Sequence, residues 1–237
     1  MDNWPPNTSS SATSVVVKSV SKNTTPSKPI QSSKKDLKQF NYKLVKNGDI
    51  NNRLSIYHQN IRGLKGKIDE FLLSLTAEAP HLICLTEHHL KEHELANTHI
   101  PNYKLGANYC RRNLKQGGVC IYVCESLKFS NINLSKHNKE QDIEIAAIQL
   151  NNQNKKVIVI CVYRAPCGNF ELFLNKLEII LNFLYRYNTE FIICGDLNIN
   201  YLEPSYKKNQ LDDPLGTYNL TDTVSFPTRI THNSVTN

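Results

Sequence analysis

From residue 54 onward the sequence alternates short apolar runs with longer stretches of helical periodicity, which restricts the chain to a layered α/β architecture. Leu54-Ser55-Ile56-Tyr57-His58-Gln59-Asn60 is the first strand-like run, and residues 81–86, 117–125, 143–150, 156–163 and 190–194 supply the others. The runs 143–150 and 156–163 are separated by the polar segment Asn151-Asn152-Gln153-Asn154-Lys155, which predicts a hairpin. Between the runs, residues 67–79 carry Ile68, Phe71, Leu72 and Leu75 at helical spacing and stop before Pro80. Residues 170–187 carry Phe170, Phe173, Leu174, Leu177, Ile180, Leu181 and Leu184, the stripe of an amphipathic helix. Hairpins mixed with helix-linked strands predict a layered α/β sandwich, not one purely parallel sheet.

Composition divides the chain near residues 44–54. Residues 1–45 are rich in Ser, Thr, Asn, Pro and Lys, with Trp4 the single aromatic before Phe40. Such a segment cannot bury enough apolar surface to offset chain entropy, so it is read as a disordered basic tail. The net charge of +7 belongs mostly to it: residues 1–53 hold nine Lys/Arg against three Asp/Glu, and residues 54–237 nineteen against eighteen. A basic tail either adds salt-dependent phosphate contacts or is simply solvated. No apolar run approaches the ~18 residues of a membrane span. Met1-Asp2-Asn3-Trp4-Pro5-Pro6 has neither the basic nor the apolar region of a secretory signal. An intracellular chain without membrane attachment is expected, its seven cysteines reduced. No CxxC pair supports structural zinc, and Cys84, Cys120, Cys124, Cys161 and Cys194 read as small buried hydrophobes.

Chemistry enters where the apolar runs stop. Asn60, Glu87, Tyr163, and Asp196 with Asn198 each fall at or just past the C-terminal end of a run. One carboxylate after a strand usually marks where the chain meets water. Four recurrences, in residue types that suit a hard cation and a phosphate, point to a shared cleft. Carboxylate and amide oxygens suit Mg²⁺ or Mn²⁺ better than zinc.

Six blocks in order make the pattern specific: His58-Gln59-Asn60-Ile61-Arg62-Gly63-Leu64, Ile83-Cys84-Leu85-Thr86-Glu87, Gln116-Gly117-Gly118-Val119-Cys120-Ile121-Tyr122-Val123, Val162-Tyr163-Arg164-Ala165-Pro166, Cys194-Gly195-Asp196-Leu197-Asn198 and Phe226-Pro227-Thr228-Arg229-Ile230-Thr231. Together they span nearly all of residues 54–237 and resemble the endonuclease/exonuclease/phosphatase class, in particular the endonuclease domains of non-LTR (LINE-type) retrotransposons. Thr86 and the Pro-Thr-Arg-Ile segment favour that branch over repair nucleases and phosphoinositide phosphatases.

The resemblance implies a two-sheet, four-layer α/β sandwich over residues 54–237 and a metal-dependent phosphodiesterase that nicks DNA. It implies Mg²⁺ or Mn²⁺ held by Glu87 with the help of Asn60. Tyr163 would contact the scissile phosphate, Asp196 would orient or activate the attacking water, and Asn198 would stabilise the developing charge. Thr228 would support the phosphate end of the cleft. Arg164, beside Tyr163, is a further phosphate contact because Arg suits phosphate oxygens bidentately. The implied partners are DNA and a reverse transcriptase domain in a longer parent, acting in the nucleus. Family members continue with a Ser-x-Ile-Asp strand and a Ser-Asp-His block; the sequence ends at Asn237 before either, so the expectation is a domain lacking its last strands and nicking slowly. Two other functions fit the same residues: a catalytically dead nucleic-acid-binding remnant, and a phosphatase or lipid phosphodiesterase of the same fold.

Other features have plainer readings. His89-Leu90-Lys91-Glu92-His93 fits the H-x-x-E-H pattern of inverted zinc peptidases, but no apolar helical face surrounds it, so a solvated loop or helix start is expected. His58 reads as a buried strand histidine. Tyr109, Arg111, Arg112 and Lys115 read as a surface loop able to touch a DNA backbone.

Overall fold

The computed structural model describes residues 15–19, 39–43, 53–75, 79–151, 156–185, 189–223, 229–231 and 234–236. Its strands are β1 (Val15–Ser19), β2 (Gln39–Lys43), β3 (Arg53–Asn60), β4 (Leu82–Thr86), β5 (Tyr103–Tyr109), β6 (Val119–Cys124), β7 (Phe129–Ile132), β8 (Glu144–Asn151), β9 (Lys156–Tyr163), β10 (Thr189–Asp196), β11 (Leu220–Asp222), β12 (Arg229–Thr231) and β13 (Ser234–Thr236). The helices are α1 (Ile68–Ser74), α2 (Glu92–Ala96), α3 (Phe170–Leu184) and α4 (Tyr206–Thr217).

Two mixed sheets carry the fold, with strand orders β11-β1-β10-β9-β8-β7 and β2-β3-β4-β6-β5; β12 and β13 form an antiparallel pair of their own. Each sheet has one parallel pair, β9–β10 and β3–β4, and its remaining pairings are antiparallel. Parallel neighbours need a crossover. The helix-period stretches supply both crossovers, α1 between β3 and β4 and α3 between β9 and β10. Both strands of a parallel pair run the same way, so their C-terminal ends reach the same edge. In register, Asn60 lies beside Thr86 and Tyr163 beside Asp196.

The period-two alternation of the strands sorts their side chains into three cores. Between the sheets pack Cys84, Ile121, Ile148, Val159, Cys161 and Ile192. Behind one sheet, Ile145, Ile160, Val162 and Ile193 meet Phe173, Leu177, Ile180 and Leu181 of α3 and Leu211 and Leu215 of α4. Behind the other, Ile83, Leu85, Cys120 and Tyr122 meet Phe71 of α1 and Leu95 of α2. The result is the expected four-layer sandwich.

Strands β8 and β9 pair antiparallel as the hairpin expectation requires, in the register Glu144 with Tyr163 through Asn151 with Lys156. Helix α3 starts where the stripe predicts, its Asn169 side chain accepting from the Leu172 amide as an N-cap. Several elements were not expected. Helix α2 is five residues long, β7 is half-exposed, and α4 buries only Leu211 and Leu215 and contains Pro214, so periodicity gave little signal there. Within the stretch read as a tail, β1 pairs antiparallel with β10 and β11, and β2 with β3. At those ten positions the chain is extended and paired, and β-branched Val15-Val16-Val17 favours that state. The rest of the tail lies outside the described residues.

Candidate active site

The two parallel pairs deliver their C-terminal ends to one place. The Asn60 carboxamide at the end of β3 donates to Glu87 Oε1 and to Asp196 Oδ2, each at 2.7 Å. A single side chain thus ties the carboxylate after β4 in one sheet to that at the end of β10 in the other. The Tyr163 hydroxyl hydrogen-bonds Glu87 as well, and the His89 ring lies 3.4 Å from Glu87 Oε2.

The two carboxyls are tuned in opposite directions. Burial pushes Glu87 up, but the hydrogen bonds from His89, Asn60 and Tyr163 outweigh it and hold the group below its ordinary value, ionised. Asp196 is 3 % exposed, and burial raises it to about 6 against the hydrogen bonds of Asn60 and the Asn198 amide. Burial and the neighbouring Glu87 charge push the Tyr163 hydroxyl up, so it stays protonated and donates. Environments that separate paired carboxyls in this way assign acid–base roles.

Four of the eight non-glycine residues with left-handed φ among the described residues stand at or beside the site. Arg62, Glu87, His89 and Asn198 all have left-handed φ values, +46°, +53°, +61° and +51°. Each costs a non-glycine residue about 1 kcal/mol or more. Four main-chain hydrogen bonds hold the arrangement: Ile61, Gly63 and Leu64 donate to Thr86, Glu87 and His88 at 3.0, 2.8 and 3.0 Å, and His89 donates to Gly117 at 2.9 Å.

Asn198 sits on the turn after β10. Its amide donates to Asp196 Oδ1 at 3.1 Å and its carboxamide to the Arg164 carbonyl at 2.8 Å. Arg164 is 1 % exposed, and its guanidinium donates to the carbonyls of Leu197, Asn198, Gly168 and Ala165 at 2.9, 3.0, 3.1 and 3.2 Å. It clamps the Leu197–Asn198 turn, and a bidentate phosphate contact has no geometric support. Asn60, Glu87, Tyr163 and Asp196 therefore meet directly, Asn198 joins through its main chain, and Arg164 stands behind it. Thr228 lies outside the described residues.

The reading of Arg111 as a surface contact is corrected. Arg111 is 7 % exposed and pairs with Glu144, itself 0 % exposed, at 2.5 Å. Glu144 also accepts from the amides of Gly118 and Gln141 at 2.6 and 3.0 Å. The Arg111 guanidinium lies 5.9 Å from the centre of the Tyr163 ring. A carboxylate inside the largely apolar run 143–150 was the signal for this pair. Gly117 and Gly118 make room for it: with φ of +77° and +89°, a Cβ would meet Arg111 on the first and the His88 ring at 2.5 Å on the second. His88 is buried, and burial lowers it to about 4, so it is a neutral core histidine. Of the H-x-x-E-H pair, His89 contacts Glu87 and His93 lies on the short helix α2, and among the described residues neither falls in a cluster of metal-ligating side chains. Gly195 is the other position that sequence reasoning passed over. A Cβ there would strike the Val162 carbonyl of the neighbouring parallel strand, so only glycine lets Asp196 follow at that spacing.

Residues 57–235 match the sequence profile of the Endonuclease/Exonuclease/phosphatase family. The chain belongs to that family. Among solved structures, this family member superposes on the endonuclease domain of TRAS1, a telomere-specific non-LTR retrotransposon, with a TM-score of 0.56 and 14% identity, covering 73% of this chain and 76% of that one. It also matches an AP endonuclease from Archaeoglobus fulgidus (TM-score 0.49, 15% identity, 68% and 70% covered) and D. rerio TDP2 complexed with a single-strand DNA product (TM-score 0.49, 15% identity, 67% and 64% covered). At these identities the likeness describes the fold. No curated relative matches the sequence. Among the described residues, no helix is long and apolar enough to cross a membrane.

Proposed function

We propose that this endonuclease/exonuclease/phosphatase family member is a divalent-metal-dependent phosphodiesterase that nicks DNA, in the manner of a non-LTR retrotransposon endonuclease. The observation that carries this reading is the Asn60 carboxamide donating at 2.7 Å to both Glu87 and Asp196. Glu87, Asp196, Asn60 and Tyr163 offer oxygens, Glu87 is ionised, and its side chain keeps 17% exposure toward solvent. That set fits Mg²⁺ or Mn²⁺ and not a soft ion. Glu87, with Asn60 beside it, would hold the metal, which supplies positive charge against that developing on the phosphate oxygens. Asp196, raised to about 6, is deprotonated at neutral pH yet basic enough to take a proton from the attacking water. Protonated Tyr163 donates to the phosphate, and Asn198, held by its bonds to Arg164 and Asp196, stabilises the developing charge. Thr228 supports the phosphate end of the cleft. DNA is the substrate, the nucleus the place of action, and a reverse transcriptase domain the partner in a longer protein.

The test is nicking of supercoiled plasmid by the full chain with Mg²⁺ or Mn²⁺. Chelation is expected to stop it, and Asp196→Ala to slow it by roughly 10² to 10⁴. Nicking that survives chelation, or an equal rate in Asp196→Ala, would refute the mechanism. Metal-dependent phosphate release from phosphoinositides without nicking would transfer the site to a phosphatase, and DNA binding without cleavage would make it a remnant.

A further inference from the structure

One step of the strand period below the catalytic residues lies a second layer with a different chemistry. Cys84, Cys161 and Cys194 each stand two positions before Thr86, Tyr163 and Asp196 on β4, β9 and β10, so each points to the same side of its strand as the residue above it. Cys161 and Cys194 are register partners on neighbouring parallel strands, and Cys84 faces them from the other sheet. All three are 0 % exposed, and their sulfurs lie within 4.8 Å of one another. His58, two positions before Asn60, is buried in this layer and is the register partner of Cys84 on the neighbouring strand. Cys120 faces the opposite core, and Cys167 is exposed.

Three separate strands from two sheets therefore bring three sulfurs to one point. As scattered small hydrophobes they would need no such convergence. We infer that Cys84, Cys161 and Cys194 form a soft-metal site between the sheets, beneath the oxygen-rich catalytic edge, taking a divalent d¹⁰ ion of the zinc and cadmium type. Around such an ion, at metal–sulfur distances of about 2.3 Å, thiolates stand roughly 3.8 Å apart, so the trio has to close by about 1 Å at most. Hard ligands above and soft ligands below keep the two ions chemically distinct. Binding exchanges three S–H bonds for three metal–sulfur bonds, and three protons leave: M²⁺ plus three thiols gives a tris-thiolate complex of charge −1 and three H⁺. All three side chains are fully buried among apolar neighbours of the inter-sheet core.

The experiment titrates the full, reduced chain with Cd²⁺ and follows the sulfur-to-metal charge-transfer absorbance. The expected result is one saturable equivalent, three protons released per ion in weakly buffered solution, and a cadmium NMR shift in the range of sulfur-rich coordination. Cys161→Ala and Cys194→Ala, made separately, should each weaken binding about 100-fold or more, while Cys120→Ala and Cys167→Ser leave it unchanged. Folding of each variant is checked by its urea midpoint. Should neither alanine variant fold, the proton count and cadmium NMR of the unaltered chain decide. No band, fewer than three protons per ion, or binding that persists in both alanine variants overturns the site.

Discussion

Replacing Asp196 by Asn should stabilise the metal-free protein at neutral pH and destabilise it in acid. The group's ordinary value is 3.8 and burial raises it to about 6 in the folded chain. At 1.36 kcal/mol per unit, the difference corresponds to about 3 kcal/mol. The sign follows from proton binding. A raised folded-state value means that the native chain holds a proton the unfolded chain releases. The associated stability is therefore complete below the ordinary value and disappears as pH rises through about 6. Asparagine carries no charge to desolvate, so this loss is absent from the variant. Its own defect is local: its NH₂ faces the Asn60 donor where Asp196 Oδ2 had accepted, at a cost of about 1 kcal/mol. Asp196→Asn should then be about 1 kcal/mol less stable than the parent near pH 3 and about 2 kcal/mol more stable near pH 7.5. Urea denaturation at both pH values, with chelator present and slopes compared, measures this difference. A difference that does not change with pH would show that Asp196 titrates normally, and the argument for its role as base would fall with it.

Four further outcomes follow from the same geometry. Gly195→Ala drives a Cβ into the Val162 carbonyl and should cost about 3 kcal/mol or more in urea stability; a near-neutral variant would mean the parallel strands can part there. Glu144→Gln leaves the Arg111 guanidinium buried without its counter-charge and should cost about 3 to 5 kcal/mol, and a loss below about 1 kcal/mol would remove the pair from the core. Arg164→Met strips donors from the carbonyls of Leu197, Asn198, Ala165 and Gly168, so a loss of about 3 kcal/mol is expected; unchanged stability would deny the clamp. Glu87→Gln keeps the shape but not the charge, and Mg²⁺ affinity measured calorimetrically should fall about tenfold or more. Equal affinity would move the metal elsewhere.

The sequence by itself determined the layers and the edge. Apolar runs with period two, helix-period stretches in two gaps and polar residues at the run ends were enough to expect a mixed sandwich with Asn60, Glu87, Tyr163 and Asp196 at strand termini, because these patterns depend on local geometry and burial. Tertiary structure decided what those residues face. Whether Arg111 and Arg164 meet solvent or carbonyls depends on strands far away in the chain, and both were turned inward, to Glu144 and to the Leu197–Asn198 turn. The opposite tuning of Glu87 and Asp196 likewise needed the packing, since each is set by burial and by groups that only the two crossovers bring together. The cysteine trio was invisible for the same reason. Positions 84, 161 and 194 share no spacing motif, and only the meeting of two sheets places their sulfurs within 4.8 Å.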